Sequence, residues 1–154
     1  MEKYLRLLNP KSTNFDGVSG CSHGALTTAD VCVAMSYMRL TPIQDQLFQC
    51  FARNQNTVAN LKVAAKSIQA EYSKRNANES NADHEVSLFI ALVELCAVPA
   101  DYKPSERNRA VIGGVSRMQV QRKLGKLIDN FKTDLREEIE DIETKLIKQL
   151  KTNI

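Results

Sequence analysis

The chain has no tryptophan, and none of its four cysteines forms a C-x-x-C pair with another. It also lacks any run of 18 apolar residues, and residues 1–6 lack the apolar core of a signal peptide. We therefore expect a cytoplasmic protein with no membrane partner. A content of 43% hydrophobic and 25% charged residues over 154 positions is typical of one globular domain, or one with an arm, that can bury a working core.

The widely spaced cysteines do not indicate a metal centre. Three of them fall inside apolar helical patterns, which predicts buried free thiols at Cys32, Cys50 and Cys96. The fourth, Cys21, stands close to His23, but a structural zinc ion needs four ligands and this pair supplies two. We expect neither a metal nor a cofactor.

Catalytic motifs are scarce as well. The two histidines are His23, in a glycine-rich stretch, and His84, which we expect to be an exposed polar residue at a helix start. No Ser-His-Asp order, P-loop or H-E-x-x-H motif is present. The sequence therefore predicts a protein that is not an enzyme, with no catalytic residues.

The spacing of apolar residues predicts an all-α fold. Intervals of three and four indicate helices from residue 27 or 28 to about 40, from Pro42 onward, from 56 to 74, and from 82 or 83 onward. Residues 86–95 are apolar on nearly every side, which predicts a helix buried at the centre of the core. A short buried strand is the alternative for those residues.

Turn signals and charge divide the chain into four regions. We expect an irregular N-terminal arm over 1–26, a helical core over 27–98, a helix-turn-helix region over 99–132 and an amphipathic helix over 133–154. The polar, Asn-rich residues 75–81 predict a mobile surface loop. The whole would be a compact helical domain with a long C-terminal helix.

Residues 105–124 are typical of two short helices joined by a glycine turn. Gly114 can take a positive φ at the corner, and the small Ala110 stands where the two helices would cross. Ser116 with Gln119 three residues later is the pattern of a capping box that starts the second helix. This pattern predicts a helix-turn-helix.

The basic charge of the chain is concentrated in this region. Residues 101–132 carry a net +5 while the whole chain carries +3, and such a patch is typical of phosphate contacts. Arginine and glutamine also read guanine and adenine edges in a major groove. The residues expected to contact DNA are Arg107, Arg109, Ser116, Arg117, Gln119, Gln121, Arg122, Lys123 and Lys126. A structural hairpin without DNA is the alternative, because Gly113 and Arg109 stand where apolar residues are usual.

Apolar residues continue at helical spacing from Val120 to Leu150, and beyond Phe131 the opposite face is rich in acidic residues. This helix either packs on its own domain or projects to pair with a second copy or another protein. We favour the projecting helix. Its expected partner-binding residues are Leu135, Ile139, Ile142 and Leu146.

Two stretches near the N-terminus resemble a known family. The first is residues 8–12, Leu-Asn-Pro-Lys-Ser, and the second is residues 24–38, which begin Gly-Ala-Leu-Thr-Thr-Ala-Asp-Val and end at Met38. Both are similar to the start of the Q antitermination proteins of lambdoid bacteriophages. Those proteins open with an S-P-K-S stretch followed by an L-T-x-x-D-V-x-x-A-M-G-M helix. They also carry a zinc insertion with two C-x-x-C pairs, where this chain has only the linker 99–104, so the resemblance implies a compact, zinc-free variant.

The resemblance implies a sequence-specific DNA-binding transcription antitermination factor in the cytoplasm of the host bacterium. Its partners would be double-stranded DNA at a phage late promoter and bacterial RNA polymerase with its σ factor, with nascent RNA as a further candidate. Binding would convert the polymerase to a form that reads through terminators. The alternatives are a dimeric helix-turn-helix repressor or activator, and a helical assembly protein that does not bind DNA.

Overall fold

The computed structural model describes residues 28–52, 56–75 and 82–152, and every regular element in these ranges is helical. The predicted all-α fold is therefore confirmed for the described residues, and residues 86–95 belong to a helix, not to a strand. The predicted N-terminal arm, Cys21 with His23, and all of the predicted loop but residue 75 lie outside the described residues.

The helices follow one another in chain order. They are α1 (Thr28–Tyr37), α2 (Pro42–Ala52), α3 (Val58–Arg75), α4 (Ala82–Cys96), α5 (Glu106–Gly113), α6 (Arg117–Gln119), a π-helical turn (Val120–Leu124) and α7 (Gly125–Thr152). The last three elements are continuous, and we call them together the long helix. The predicted second helix of the helix-turn-helix is thus not short, because it is the beginning of the long helix.

The chain forms two compact units, which divide between Arg39 and Leu40 and again between Ile139 and Glu140. The unit that contains α1 also contains the last part of α7. In it, successive turns of α1 bury Val31 and Ala34, which are three residues apart and so share one face of the helix. The other unit contains α2 to α6, the π-helical turn and the first part of α7.

The start of α2 shows how local sequence sets a helix boundary. The hydroxyl oxygen of Thr41 accepts a hydrogen bond from the backbone N–H of Gln44 (3.3 Å), and the amide oxygen of Gln44 accepts one from the N–H of Thr41 (3.2 Å). This reciprocal cap, followed by proline at the first helical position, begins the helix. The buried Gln44 also donates to Glu138 of α7 at 2.8 Å, so the cap joins α2 to the long helix.

Helix α4 is the centre of its unit. Seven consecutive residues, Ser87–Val93, are buried, and α4 packs on both α3 and α5. A helix buried on all sides must be apolar on all sides, which confirms the interpretation of residues 86–95. Each fully buried Leu or Ile contributes about 1.5–3 kcal/mol to folding.

Gly113 lies where α5 approaches α4. A Cβ added at Gly113 would be 2.8 Å from Cδ1 of Ile90 and 3.2 Å from Cγ1 of Val86. A larger residue at this position would force the end of the buried Ile90 side chain to move, so glycine suits the close approach of the two helices. The departure from the usual apolar residue at this position therefore has a packing cause.

The aliphatic stripe of α7 is part of the protein's own core. Leu135, Ile142 and Leu146 have no exposed surface, and Ile139 is half-buried. The stripe continues that of Val120, Leu124 and Ile128, which are also buried, because the same helical spacing runs through both. The preferred prediction, a projecting helix with these four residues as a partner-binding face, is wrong.

A buried carboxylate joins three helices in the larger unit. The side chain of Glu94 in α4 is 1% exposed and accepts two hydrogen bonds from Arg109 of α5, from Nε to Oε1 (2.6 Å) and from Nη2 to Oε2 (3.0 Å). Lys132 of α7 donates to the same Oε2 at 2.7 Å. Arg109 extends the cluster by donating to Asp129 at 2.9 Å, and the Tyr102 hydroxyl donates to Glu94 at 3.4 Å.

Burial alone opposes ionisation of Glu94, but the hydrogen bonds from Arg109 and Lys132 favour the carboxylate more, so its pKa lies below the ordinary value. The hydrogen bond to Glu94 also raises the pKa of Arg109. Burial, followed by the negative charge of Glu94, raises the pKa of Tyr102 to about 12. Glu94 is therefore a carboxylate and Arg109 a cation at neutral pH, with Tyr102 as a neutral donor.

We predict that Glu94→Gln lowers the free energy of unfolding by about 3–5 kcal/mol at pH 7, because Arg109 and Lys132 keep their buried charges without the carboxylate. Urea denaturation measures this loss. The pKa of Glu94 is lower in the folded than in the unfolded chain, so its stabilisation is present above the unfolded pKa and is lost as pH falls through the folded pKa. The acid-dependent loss of stability should therefore be smaller in the variant.

The control is Asp129→Asn, which removes a partner of Arg109 whose side chain is 64% exposed. It should cost at most about 1 kcal/mol, since exposed ion pairs stabilise little. Equal losses in the two variants would contradict the role given to burial.

Candidate nucleic-acid interface

The turn between α5 and the long helix is closed by backbone hydrogen bonds. Helix α5 begins at Ser105, whose side chain accepts from the N–H of Asn108. At its other end Gly114 is left-handed (φ 64°, ψ 31°), the N–H of Gly114 donates to Val111, and the N–H of Val115 donates to Ala110. This is a Schellman motif, which needs a residue that tolerates positive φ. The predicted role of Gly114 is confirmed.

The long helix begins with the predicted capping box. The hydroxyl oxygen of Ser116 accepts from the N–H of Gln119 (3.2 Å), and Oε1 of Gln119 accepts from the N–H of Ser116 (3.1 Å). Ala110 is buried at the crossing of the two helices, as predicted. From Ser105 to Leu124 the chain therefore forms a short helix, a tight turn at Gly114 and the beginning of the long helix.

A π-helical turn follows directly after α6. The N–H of Gly125 donates to the carbonyl of Val120, five residues earlier, and a Cβ on Gly125 would lie 3.0 Å from that oxygen. Glycine therefore accommodates the wider turn, which keeps both Val120 and Leu124 buried. Single π turns within helices are frequent at functional sites.

Eight of the nine residues predicted to contact DNA are exposed, and two of these, Ser116 and Gln119, form the capping box. The other six exposed residues are Arg107, Arg117, Gln121, Arg122, Lys123 and Lys126. Nε of Arg117 is 3.1 Å from a carboxylate oxygen of Glu106, and Lys123 forms an ion pair with Asp83 of α4. Exposed ion pairs stabilise little, so DNA phosphates can compete for both cations.

The other three predicted contacts have structural roles instead. Arg109 is 14% exposed and is held by Glu94 and Asp129, so it is not available to DNA and the prediction for it is wrong. Ser116 and Gln119 bond each other in the capping box. Reading adenine requires both the oxygen and the nitrogen of a glutamine amide, and the Gln119 oxygen is already used.

Sequence reasoning missed two lysines beside the turn. Lys62 and Lys66 of α3 line a cleft of about 420 Å³ together with Gly113, Gly114 and residues of α4. Nζ of Lys62 lies 5.4 Å from the centre of the Phe89 ring, and Nζ of Lys66 is 3.9 Å from a carboxylate oxygen of Glu85. No signal in the sequence connects these lysines to a turn about fifty residues later, because only the packing of α3 on α4 brings them there.

The thiols and His84 do not form a second site. Cys50 is buried, Cys96 is half-buried and Cys32 is exposed, so burial was predicted wrongly for Cys32. Burial raises the pKa of Cys50 to about 11, and burial with the nearby Cys50 raises that of Cys96 to about 12, which makes both thiols unreactive.

His84 is half-buried, not exposed as predicted, and packs edge-on against the Phe131 ring at 5.9 Å. Within the described part of the chain, no three residues of the types that bind metals come together. None of the described helices has the length and apolar character needed to cross a membrane.

We predict that Gly114→Val lowers the free energy of unfolding by about 1–3 kcal/mol, because a β-branched residue is strained at positive φ. No atom lies within 4 Å of a Cβ placed at Gly114, so the cost is conformational and not a clash. Gly114→Asn should cost much less, since asparagine tolerates the left-handed region. Thermal melting compares the two variants, and equal melting temperatures would contradict this account of the turn.

The resemblance to the Q antitermination proteins lies in residues 8–12 and 24–38, of which residues 28–38 are described. There Thr28–Tyr37 forms α1, with Val31, Ala34 and Met38 buried. Comparison of the chain with protein-family models, with curated proteins and with solved structures finds no match.

Proposed function

We propose that this protein binds DNA in a sequence-specific manner through residues 105–126, with the first turns of the long helix in the major groove. The observation that carries the proposal is the tight turn at Gly114, which leaves the beginning of the long helix exposed beside α5. A helix start presented in this way is the part of a helix-turn-helix that meets base edges.

The charges around the turn support the same function. Arg107, Arg122 and Lys126 are exposed, and two nearby acidic residues are paired within the protein, Glu106 with Arg117 and Asp129 with Arg109. The buried ion pairs of Arg109 and Lys132 with Glu94 hold α5 and the long helix on α4, so the exposed cations are presented on a rigid base. Exposed cations of this kind can contact DNA phosphates.

We further propose that this protein is an antitermination factor, which engages bacterial RNA polymerase and makes it read through terminators. The resemblance of residues 8–12 and 24–38 to the Q proteins supports it. Helix α1 also leaves Val33 and Tyr37 exposed, at 47% and 65%, and exposed apolar side chains close together are suitable for a protein contact.

The two alternative functions lose their main support. A dimeric repressor or activator, and an assembly protein without DNA, both require the aliphatic stripe of α7 as a contact face. Leu135, Ile142 and Leu146 are buried in the single chain and cannot supply it.

We predict that Gln121→Ala and Lys126→Ala weaken DNA binding in different ways. Gln121→Ala should weaken binding to the preferred duplex by about 1–3 kcal/mol and relax the preference at one base pair. Lys126→Ala should weaken binding to all duplexes alike and reduce the slope of log K against log salt by about 0.9, the value for one lost phosphate contact.

Fluorescence anisotropy with the preferred and a scrambled duplex, over a range of salt concentrations, measures both effects. Both side chains are exposed, so neither variant should change the melting temperature. Identical behaviour of the two variants would contradict base reading by the long helix.

Transcription across a terminator with purified bacterial RNA polymerase and σ factor tests the antitermination function. The full chain should increase readthrough on a template that carries the preferred DNA site and not on a template that lacks it. If the chain binds DNA specifically but does not increase readthrough, the proposed DNA binding stands and the antitermination function is refuted.

A further inference from the structure

Met118 is the second residue of the long helix, and it is 57% exposed. It lies between two side chains that have hydrogen-bond partners within the protein. Arg117 is paired with Glu106 at 3.1 Å, and the amide oxygen of Gln119 accepts from the N–H of Ser116. The long apolar side chain of Met118, in the first turn of the helix, takes part in neither of these contacts.

The chemistry of the major groove indicates what such a side chain can meet. Base edges in that groove present hydrogen-bond donors and acceptors, with one apolar group, the C5-methyl of thymine. A methionine side chain is unbranched, flexible and polarizable, so it can adapt to a methyl group whose position varies with the local twist of the duplex. Water otherwise covers both apolar surfaces, and contact removes that water.

We propose that Met118 is a specificity-determining residue that contacts the C5-methyl group of a thymine, an assignment that rests on the DNA binding proposed above. The site thus combines two kinds of readout. Gln121 and Arg122 offer hydrogen bonds to base edges, while Met118 offers an apolar surface that favours thymine over cytosine at one position.

The experiment uses the full chain and a duplex selected by that chain from a pool of random sequences. Each thymine of the selected duplex is replaced in turn by deoxyuridine, which lacks only the methyl group. The affinity should fall roughly fourfold at one thymine, the factor that corresponds to the burial of one methyl or methylene group. Replacement of the other thymines should have less effect.

Three variants assign that loss to a side chain. Met118→Gln should bind the thymine and deoxyuridine duplexes equally, whereas Met118→Leu should keep the preference for thymine. The matched control is Val63→Gln in α3, outside residues 105–126, which also removes an exposed apolar side chain (64% exposed) and should keep the preference. Melting curves confirm that the variants fold, as expected for exposed positions.

The outcomes separate the two proposals. If the chain selects no duplex, the proposed DNA binding is refuted and the role of Met118 with it. If it selects a duplex but tolerates deoxyuridine everywhere, or if Met118→Gln keeps the preference for thymine, DNA binding stands and the role of Met118 is refuted.

Discussion

The arrangement of α5 and the long helix on α4 depends on the carboxylate of Glu94. It is buried at the C-terminal end of α4, and its two cationic partners come from α5 and from α7. A buried ion pair of this kind adds little net stability over an apolar contact, but breaking it is costly because the remaining charges have no water. We infer that its main effect is to fix one arrangement of three helices. The turn at Gly114 joins two of these helices, α5 and the long helix, so their arrangement fixes the position of the turn.

The polar side chains of residues 105–126 divide into two groups by what holds them. Arg109, Ser116 and Gln119 are used inside the protein, for the ion cluster and for the helix start. Gln121, Arg122 and Lys126 are exposed. Residue type alone does not separate the groups, because arginine and glutamine occur in both. The separation comes from partners that are close in space, and for Arg109 these partners are 15 and 20 residues away in the chain.

Much of the fold could be predicted because its signals are local. The capping boxes at Thr41 and Ser116, the left-handed Gly114 and the apolar run in α4 each depend on residues within a few positions of one another. The predictions were wrong where the structure is decided by contacts between residues that are distant in the chain. The stripe of α7 has the same spacing whether it packs on its own chain or on another, and the structure buries it. Likewise the role of Gly113 depends on Ile90 and Val86, which no local pattern connects to it.

In the DNA-binding function proposed above, affinity and specificity would have different physical sources. Exposed cations attract any duplex and release counterions, so their contribution falls as salt increases. Contacts to base edges and to a thymine methyl are short-ranged and depend little on salt, so they separate one sequence from another. Glu106 and Asp83 pair with Arg117 and Lys123, so in the proposed complex these two carboxylates would reduce the salt-dependent contribution. That loss is common to all duplexes, and since specificity is a difference of affinities, the preference for one sequence would then depend on the contacts proposed for Met118, Gln121 and Arg122.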